Sequence, residues 1–296
     1  MKTKYKFEFA LAQFVGFFAK ALPLKLALKT GDALGSFFYH VIRVRRDVAL
    51  KNLRIAFGEE KSDAKLKKIV KKNYQHFGRV LIEFARIPLL KRETILQQIP
   101  IYNRNILDEA LRQDKGLVLL SGHFGNWEYL AAAAANVGRT CYAVFKPQKN
   151  KAVDEIIKSY RMHVGIHPLK IKGAAAKGII KAIREKSIAL VVIDQDAGKS
   201  GVFIDFFGKP ASTNRGAASL IIRLKAPIVM AFGVRGENGQ IEIHIEKFPD
   251  VSTFTDDDAG IHKLLTEYTK LLEKYIRKYP EQYMWMHKRW RTKKLN

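Results

Sequence analysis

The sequence predicts an α/β fold with a mainly parallel central sheet flanked by helices, preceded by a helical membrane-associating region. Three observations predict it: short apolar runs alternate with amphipathic stretches after residue 100, residues 1–99 read as helix throughout, and basic and apolar residues interleave near the N-terminus. A chain of 296 residues with 47% hydrophobic and 11% aromatic content can bury a sizeable core, which excludes a mostly disordered protein. The reading divides it into residues 1–29, a membrane-associating helix, and 30–296, of which 30–99 are helical and 100–296 form the α/β core.

The elements follow in order. Phe9 to Ala19 is free of charge, and Lys20, Lys25 and Lys29 then punctuate the run, which falls short of the roughly 18 apolar residues of a spanning helix. An interfacial or re-entrant anchor is the preferred reading, and a buried amphipathic helix satisfies the same pattern. Arg46 to Phe57 is helical and ends at Gly58, and Ser62 caps a second helix that stops before Pro88. Lys65, Lys67, Lys68, Lys71 and Lys72 on that helix read most simply as a solvated face, with membrane or carrier-protein docking as the second reading. Leu117–Leu120 is a fully buried strand, Asn126 caps a helix through Ala131–Ala135, and Cys141–Phe145 is a second strand. A helix around Val153–Met162 and another over 174–185 lead to the strand Ile188–Ile193. Pro227–Val234 and Gln240–Phe248 pair as a hairpin, and Asp256–Lys278 is a last amphipathic helix.

Lys+Arg 53 against Asp+Glu 28 gives a formal charge of +25, with 21 basic and 8 acidic residues in the first hundred. Such an excess calls for an anionic partner: nucleic acid, a lipid surface or an acidic protein. No zinc-finger spacing, RNP-type aromatic pair or helix-turn-helix is present, so no nucleic acid is expected and a membrane surface is favoured. The single Cys141 makes no internal disulfide and reads as a buried thiol in a reducing compartment. No signal-peptide cleavage site follows a clean apolar stretch.

Ligands of such sheets sit beyond the carboxyl ends of the strands, where His123 and the Asp194–Asp196 cluster fall. Imidazole is the side chain best tuned to exchange a proton near neutral pH, and a base needs its second ring nitrogen held, preferably by a carboxylate. Gly122 and Gly125 allow a tight turn that brings Glu128, in the first turn of the next helix, back toward His123. Backbone N–H groups at that helix terminus suit an oxyanion. A loop histidine bonded to a carbonyl and an ordinary first-turn acid satisfy the same residues. No metal is expected, since neither His-Glu-x-x-His nor Cys-x-x-Cys accompanies the pair, and Ser121 lacks the Gly-x-Ser-x-Gly setting of a hydrolase nucleophile.

The segment His123-Phe124-Gly125-Asn126-Trp127-Glu128 resembles the His-x4-Asp/Glu motif of lysophospholipid-type acyltransferases, and most of all the lipid A secondary lauroyl and myristoyl transferases. Asp194-Gln195-Asp196, Phe206-Phe207-Gly208-Lys209-Pro210-Ala211 and the run from Pro280 to Trp290 are similar to that family in the same order. The resemblance implies transfer of a fatty acyl group from acyl carrier protein to a hydroxyl of a glycolipid acceptor, a lipid A precursor, at the cytoplasmic face of the inner membrane, without cofactor. It implies that His123 is the base and Glu128 its orienter, with Arg161 steadying substrate or oxyanion. Asp194 and Asp196 would organise the site by binding nearby basic groups. Phe206, Phe207 and Pro210 would line the acyl channel, although core packing is the commoner place for such aromatics. Asn214 and Arg215 would meet phosphate, and Trp285 and Trp290 would sit at the interface or close the core. Related enzymes acylate other lipid or amino-acid-lipid acceptors, which is the alternative of the same chemistry. A non-catalytic basic protein on membranes or nucleic acid is the alternative of another class.

Overall fold

The N-terminal third folds as helices that pack through glycines. A computed structural model describes residues 3–170 and 175–294, with helix α1 over Thr3–Ala21, α2 over Leu24–Phe37, a π-helical turn over Phe38–Ile42, α3 over Arg46–Phe57 and α4 over Asp63–Ala85. The helix expected over residues 1–29 is two helices, because Pro23 cannot continue the first and stands at the N-cap of the second. α2 crosses α4 at very short range. A Cβ on Gly78 would lie 2.0 Å from the Gly31 carbonyl oxygen, and one on Gly35 would lie 2.2 Å from that of Tyr74. Arg79 on α4 clasps Asp32 on α2 through two hydrogen bonds of 2.6 Å. α1 leaves Phe7, Phe14 and Phe17 more than 60% exposed. Among the described residues, no helix is long and apolar enough to cross a membrane.

The rest alternates: α5 (Ile95–Gln98), β1 (Ile101–Tyr102), α6 (Arg104–Arg112), β2 (Leu117–Ser121), α7 (Trp127–Ala134), β3 (Cys141–Phe145), α8 (Lys151–His163), β4 (Ile166–Lys170), α9 (Ala175–Arg184) and β5 (Ile188–Val192). A hairpin of β6 (Val202–Phe206) and β7 (Lys209–Thr213) follows, then α10 (Arg215–Leu224), β8 (Ile228–Arg235), β9 (Ile241–Lys247) and α11 (Asp258–Lys278). The main sheet has seven strands in the order β1-β9-β8-β2-β5-β3-β4, parallel except between β8 and β9.

β2 is central and fully buried, which is why its sequence is continuously apolar. Its Val118 and Leu120 face a core built with α3, α9, α10, α11 and the C-terminal segment, whereas Leu117 and Leu119 face one built with α6 and α7. The alanines of α7 pack into that second core, where small side chains bring helix and sheet close. Cys141 is buried on β3, and burial pushes its thiol up to about 12.

Candidate active site

The register of β2 and β5 builds the centre of the site. Ser121 lies opposite Val192, so His123 and Asp194, each two residues further on, emerge side by side at the carboxyl edge. His123 Nδ1 and Asp194 Oδ1 are 2.7 Å apart, and the second carboxylate oxygen accepts the His123 backbone N–H at 3.0 Å. A carboxylate only accepts, so the neutral imidazole carries its proton on Nδ1 and presents the Nε2 lone pair to the cleft. Gln195 Nε2 is 3.4 Å from that atom, and Trp127 meets the ring edge to face at 5.3 Å.

Asp194 is 2% exposed. Its burial would raise the carboxyl pKa, but the His123 ring and N–H, with the Arg289 charge, hold it below the ordinary 3.8. Burial likewise disfavours a charged His123, yet the Asp194 charge and hydrogen bond outweigh it and hold the imidazole above 6.5.

The turn that carries His123 is pinned to the sheet. Gly125 has φ +57°, and a Cβ there would stand 1.8 Å from the Gly233 carbonyl oxygen, so only glycine fits. Asn126 N–H donates to Gly233 at 2.7 Å, Gly125 N–H to the Gln282 carbonyl at 2.8 Å, and Met284 N–H to the His123 carbonyl at 3.0 Å. The Tyr268 hydroxyl donates to the carbonyl of Ser121 at 2.8 Å. Asn126 caps α7 by accepting from Tyr129 N–H, as its sequence position suggested.

Glu128 does not reach His123. It turns to α8, where Arg161 donates to both carboxylate oxygens, Nη2 to Oε1 at 2.6 Å and Nε to Oε2 at 3.0 Å. The guanidinium carbon of Arg161 stands 3.4 Å from the Phe145 ring centroid. The first turn of α7 aims Glu128 across the cleft, so the place beside His123 that the sequence reading gave to Glu128 is occupied by Asp194.

Both pairs border one cleft of about 780 Å³, whose lining includes His123, Glu128, Arg161, Asp196 and Asn214. Ile179, Val191, Val144 and Leu220 supply an apolar side to it. Asp196 accepts from Arg291 Nη2 at 2.8 Å and from Thr292, which ties down the C-terminal tail. Asn214 caps α10, and Arg215 pairs with Asp258 at the rim of a neighbouring cleft.

Phe206 and Phe207 lie outside the cleft lining. They are buried against Trp285, Trp290 and Phe57, because the β6–β7 hairpin folds its apolar face onto the core. Trp285, with no exposed surface, and Trp290 at 7% close that core. The sequence reading missed Gln195 beside Nε2 and a buried polar group behind the turn: His76, Glu83, Arg235 and Gln282. The available signal for the buried polar group is the lone acid in the apolar run Val80-Leu81-Ile82-Glu83-Phe84, since a buried charge requires a partner.

A family model described as bacterial lipid A biosynthesis acyltransferase matches residues 2–292. The chain is 24% identical over 273 residues to the lipid A biosynthesis lauroyltransferase of Escherichia coli, covering 92% of this chain and 87% of the relative. A lipid A biosynthesis acyltransferase of Haemophilus influenzae is 26% identical over 278 residues, with 92% and 86% covered. The lipid A biosynthesis myristoyltransferase of Escherichia coli is 24% identical over 263 residues, with 88% and 80% covered.

Proposed function

The chain belongs to the bacterial lipid A biosynthesis acyltransferases, and from that premise we propose that it moves a fatty acyl group from acyl carrier protein to a hydroxyl of a lipid A precursor, with His123 as general base. The observation that carries this reading is the His123–Asp194 pair at a cleft with one polar and one apolar side. Asp194 fixes the tautomer and stabilises the imidazolium that forms, as a buried carboxylate does for a catalytic histidine.

His123 Nε2 takes the proton of the acceptor hydroxyl as its oxygen attacks the thioester carbonyl. The C–O bond forms, the C–S bond breaks, and the proton passes to the departing thiolate. Arg161, held in place by both oxygens of Glu128, faces the charge that develops on the carbonyl oxygen. Glu128 thus acts through Arg161, and the apolar wall of Ile179, Val191 and Leu220 receives the acyl chain.

The exposed phenylalanines of α1, flanked by Lys20, Lys25 and Lys29, suit a helix lying in an anionic membrane interface, here the cytoplasmic face of the inner membrane. The excess charge of +25 suits an acidic carrier protein and a phosphorylated glycolipid. Purified protein given a lipid A precursor with carrier-linked and CoA-linked donors tests the proposal. Product of one added acyl chain from the carrier-linked donor, lost in His123→Ala by roughly 10²–10⁴-fold, is the expected result. Equal turnover of a folded His123→Ala variant overturns it.

A further inference from the structure

The face of α4 turned toward the catalytic turn carries polar side chains where a core-facing helix is ordinarily apolar. Asn73, His76 and Glu83 lie on one side of the helix by their spacing, and all three are at most 5% exposed. Asn73 Nδ2 donates to the carbonyls of Glu281 and Tyr283, each at 2.7 Å. His76 donates from Nε2 to the Gly125 carbonyl at 3.1 Å. Glu83 accepts from the Asn126 side-chain amide at 2.8 Å.

Arg235, the last residue of β8, completes the arrangement. Its Nη1 and Nη2 donate to Glu83 Oε1 and Oε2 at 2.7 and 2.6 Å, with side chains 7% and 4% exposed. Its backbone is clasped by the side chain of Gln282, which accepts from its N–H at 2.8 Å and donates to its carbonyl at 2.9 Å. Gln282 in turn accepts the Gly125 N–H on its backbone carbonyl. Helix α4, strand β8 and the C-terminal segment therefore converge on Gly125 and Asn126, between His123 and Glu128.

A buried ion pair adds little stability over well-packed apolar residues of the same volume, so stability is a weak reason for this one. What it provides is direction. Asn126 has no exposed surface and is held at both ends, its Oδ1 capping α7 through Tyr129 N–H at 3.0 Å and its Nδ2 on Glu83. We propose that Glu83 and Arg235 are positioning residues for acyl transfer, which act through Asn126 to fix the His123 turn and the first turn of α7. The inference rests on the reading of His123 as the base, and its test includes a measurement independent of that reading.

Two variants separate positioning from bulk stability. Asn126→Ser keeps an oxygen that caps α7 but is too short to reach Glu83. Glu83→Leu with Arg235→Met replaces the pair by apolar side chains. Both are read by kcat and KM, thermal midpoint, and amide hydrogen exchange of the peptide spanning 122–129. The expected result is a near-normal midpoint, kcat lower by about 10- to 100-fold with KM within about twofold, and exchange about tenfold faster as a buried charge-assisted bond is lost. Asn126→Ser with unaltered kcat and unaltered exchange overturns the proposal, whether or not the double variant folds. A kcat loss that disappears once the midpoint is restored in the double variant also overturns it. If His123→Ala proves active, the base assignment falls, while the exchange rate still decides whether this network holds the turn.

Discussion

Replacing Asp194 by Asn tests the site at the point where the structure is most specific. Both carboxylate oxygens are committed to His123, at 2.7 Å to the ring and 3.0 Å to the backbone N–H. An amide offers one acceptor and one donor, so one of the two contacts is lost or opposed whichever way it turns. The charge is lost as well, and burial, the largest influence on the imidazole, is then opposed only by the more distant Glu128 charge, so the His123 pKa falls. Removing a close opposite charge moves such a group by about 1–3 units. Since the base works only when neutral, the acid limb of the pH–rate profile should move to lower pH by that amount. The plateau should drop by roughly 10²–10⁴-fold, because the imidazole loses its orientation and the stabilisation of its charged form.

Stability carries the same sign. The raised His123 contributes stability that is present below 6.5 and lost as pH rises through its folded pKa. The depressed Asp194 contributes stability that is present above 3.8 and lost as pH falls through its folded pKa. The wild-type advantage over Asp194→Asn should therefore be greatest between pH 3.8 and 6.5 and narrow on either side. Initial rates of acyl transfer from about pH 5 to 9, with thermal midpoints from about pH 3 to 9, measure both effects. An Asp194→Asn enzyme with an unmoved acid limb and an undiminished plateau refutes the pairing as the source of the base.

The other expected outcomes concern the second pair, the exposed face of α1 and the aromatic core. Glu128→Ala and Arg161→Ala should each lower kcat, and the double variant should be scarcely worse than either, because the two act as a unit; multiplied losses would separate them. Changing Phe14 and Phe17 of α1 to Ser should weaken partitioning to anionic vesicles by about tenfold or more per residue, from about 1.5–3 kcal/mol of apolar burial each. Flotation with unchanged binding would place the membrane contact elsewhere. Phe206→Ala should cost about 3–5 kcal/mol of stability and leave acyl-chain preference unaltered, whereas a changed preference in a stable variant would return Phe206 to the acyl channel.

The elements visible in the sequence were those whose cause is local. Leu117–Leu120 reads as a buried strand because both faces of a central parallel strand are covered, and Asn126 reads as a cap because its side chain bonds three residues on. Strand β4 was missed because Pro168 sits in it, a residue tolerated there since β4 is an edge strand. The β6–β7 hairpin is not legible as a hairpin in the sequence, although Phe207 with φ 56° and Gly208 with φ 71° form the tight turn between its strands. The buried stripe of Asn73, His76 and Glu83 escaped because a periodicity search counts apolar residues and passes over polar ones at the same spacing.

The partner of His123 was hidden for a different reason. Glu128 is five residues away along the chain and Asp194 is seventy-one, yet the nearer acid faces away. Distance in sequence is a poor guide once a helix begins, because the first turn of α7 carries position 128 round to α8 within a few residues. Distance across parallel strands is fixed by register. With Ser121 opposite Val192, equal extensions of two residues bring 123 and 194 together, and Gly122 lets Leu272 of α11 pack against the strand end, since a Cβ there would lie 2.8 Å from the Leu272 Cδ1. His123 and the Asp194 cluster were both assigned in the sequence to strand ends. Joining them required only that β2 and β5 be neighbours, a pairing that depends on the sheet order and not on either segment alone.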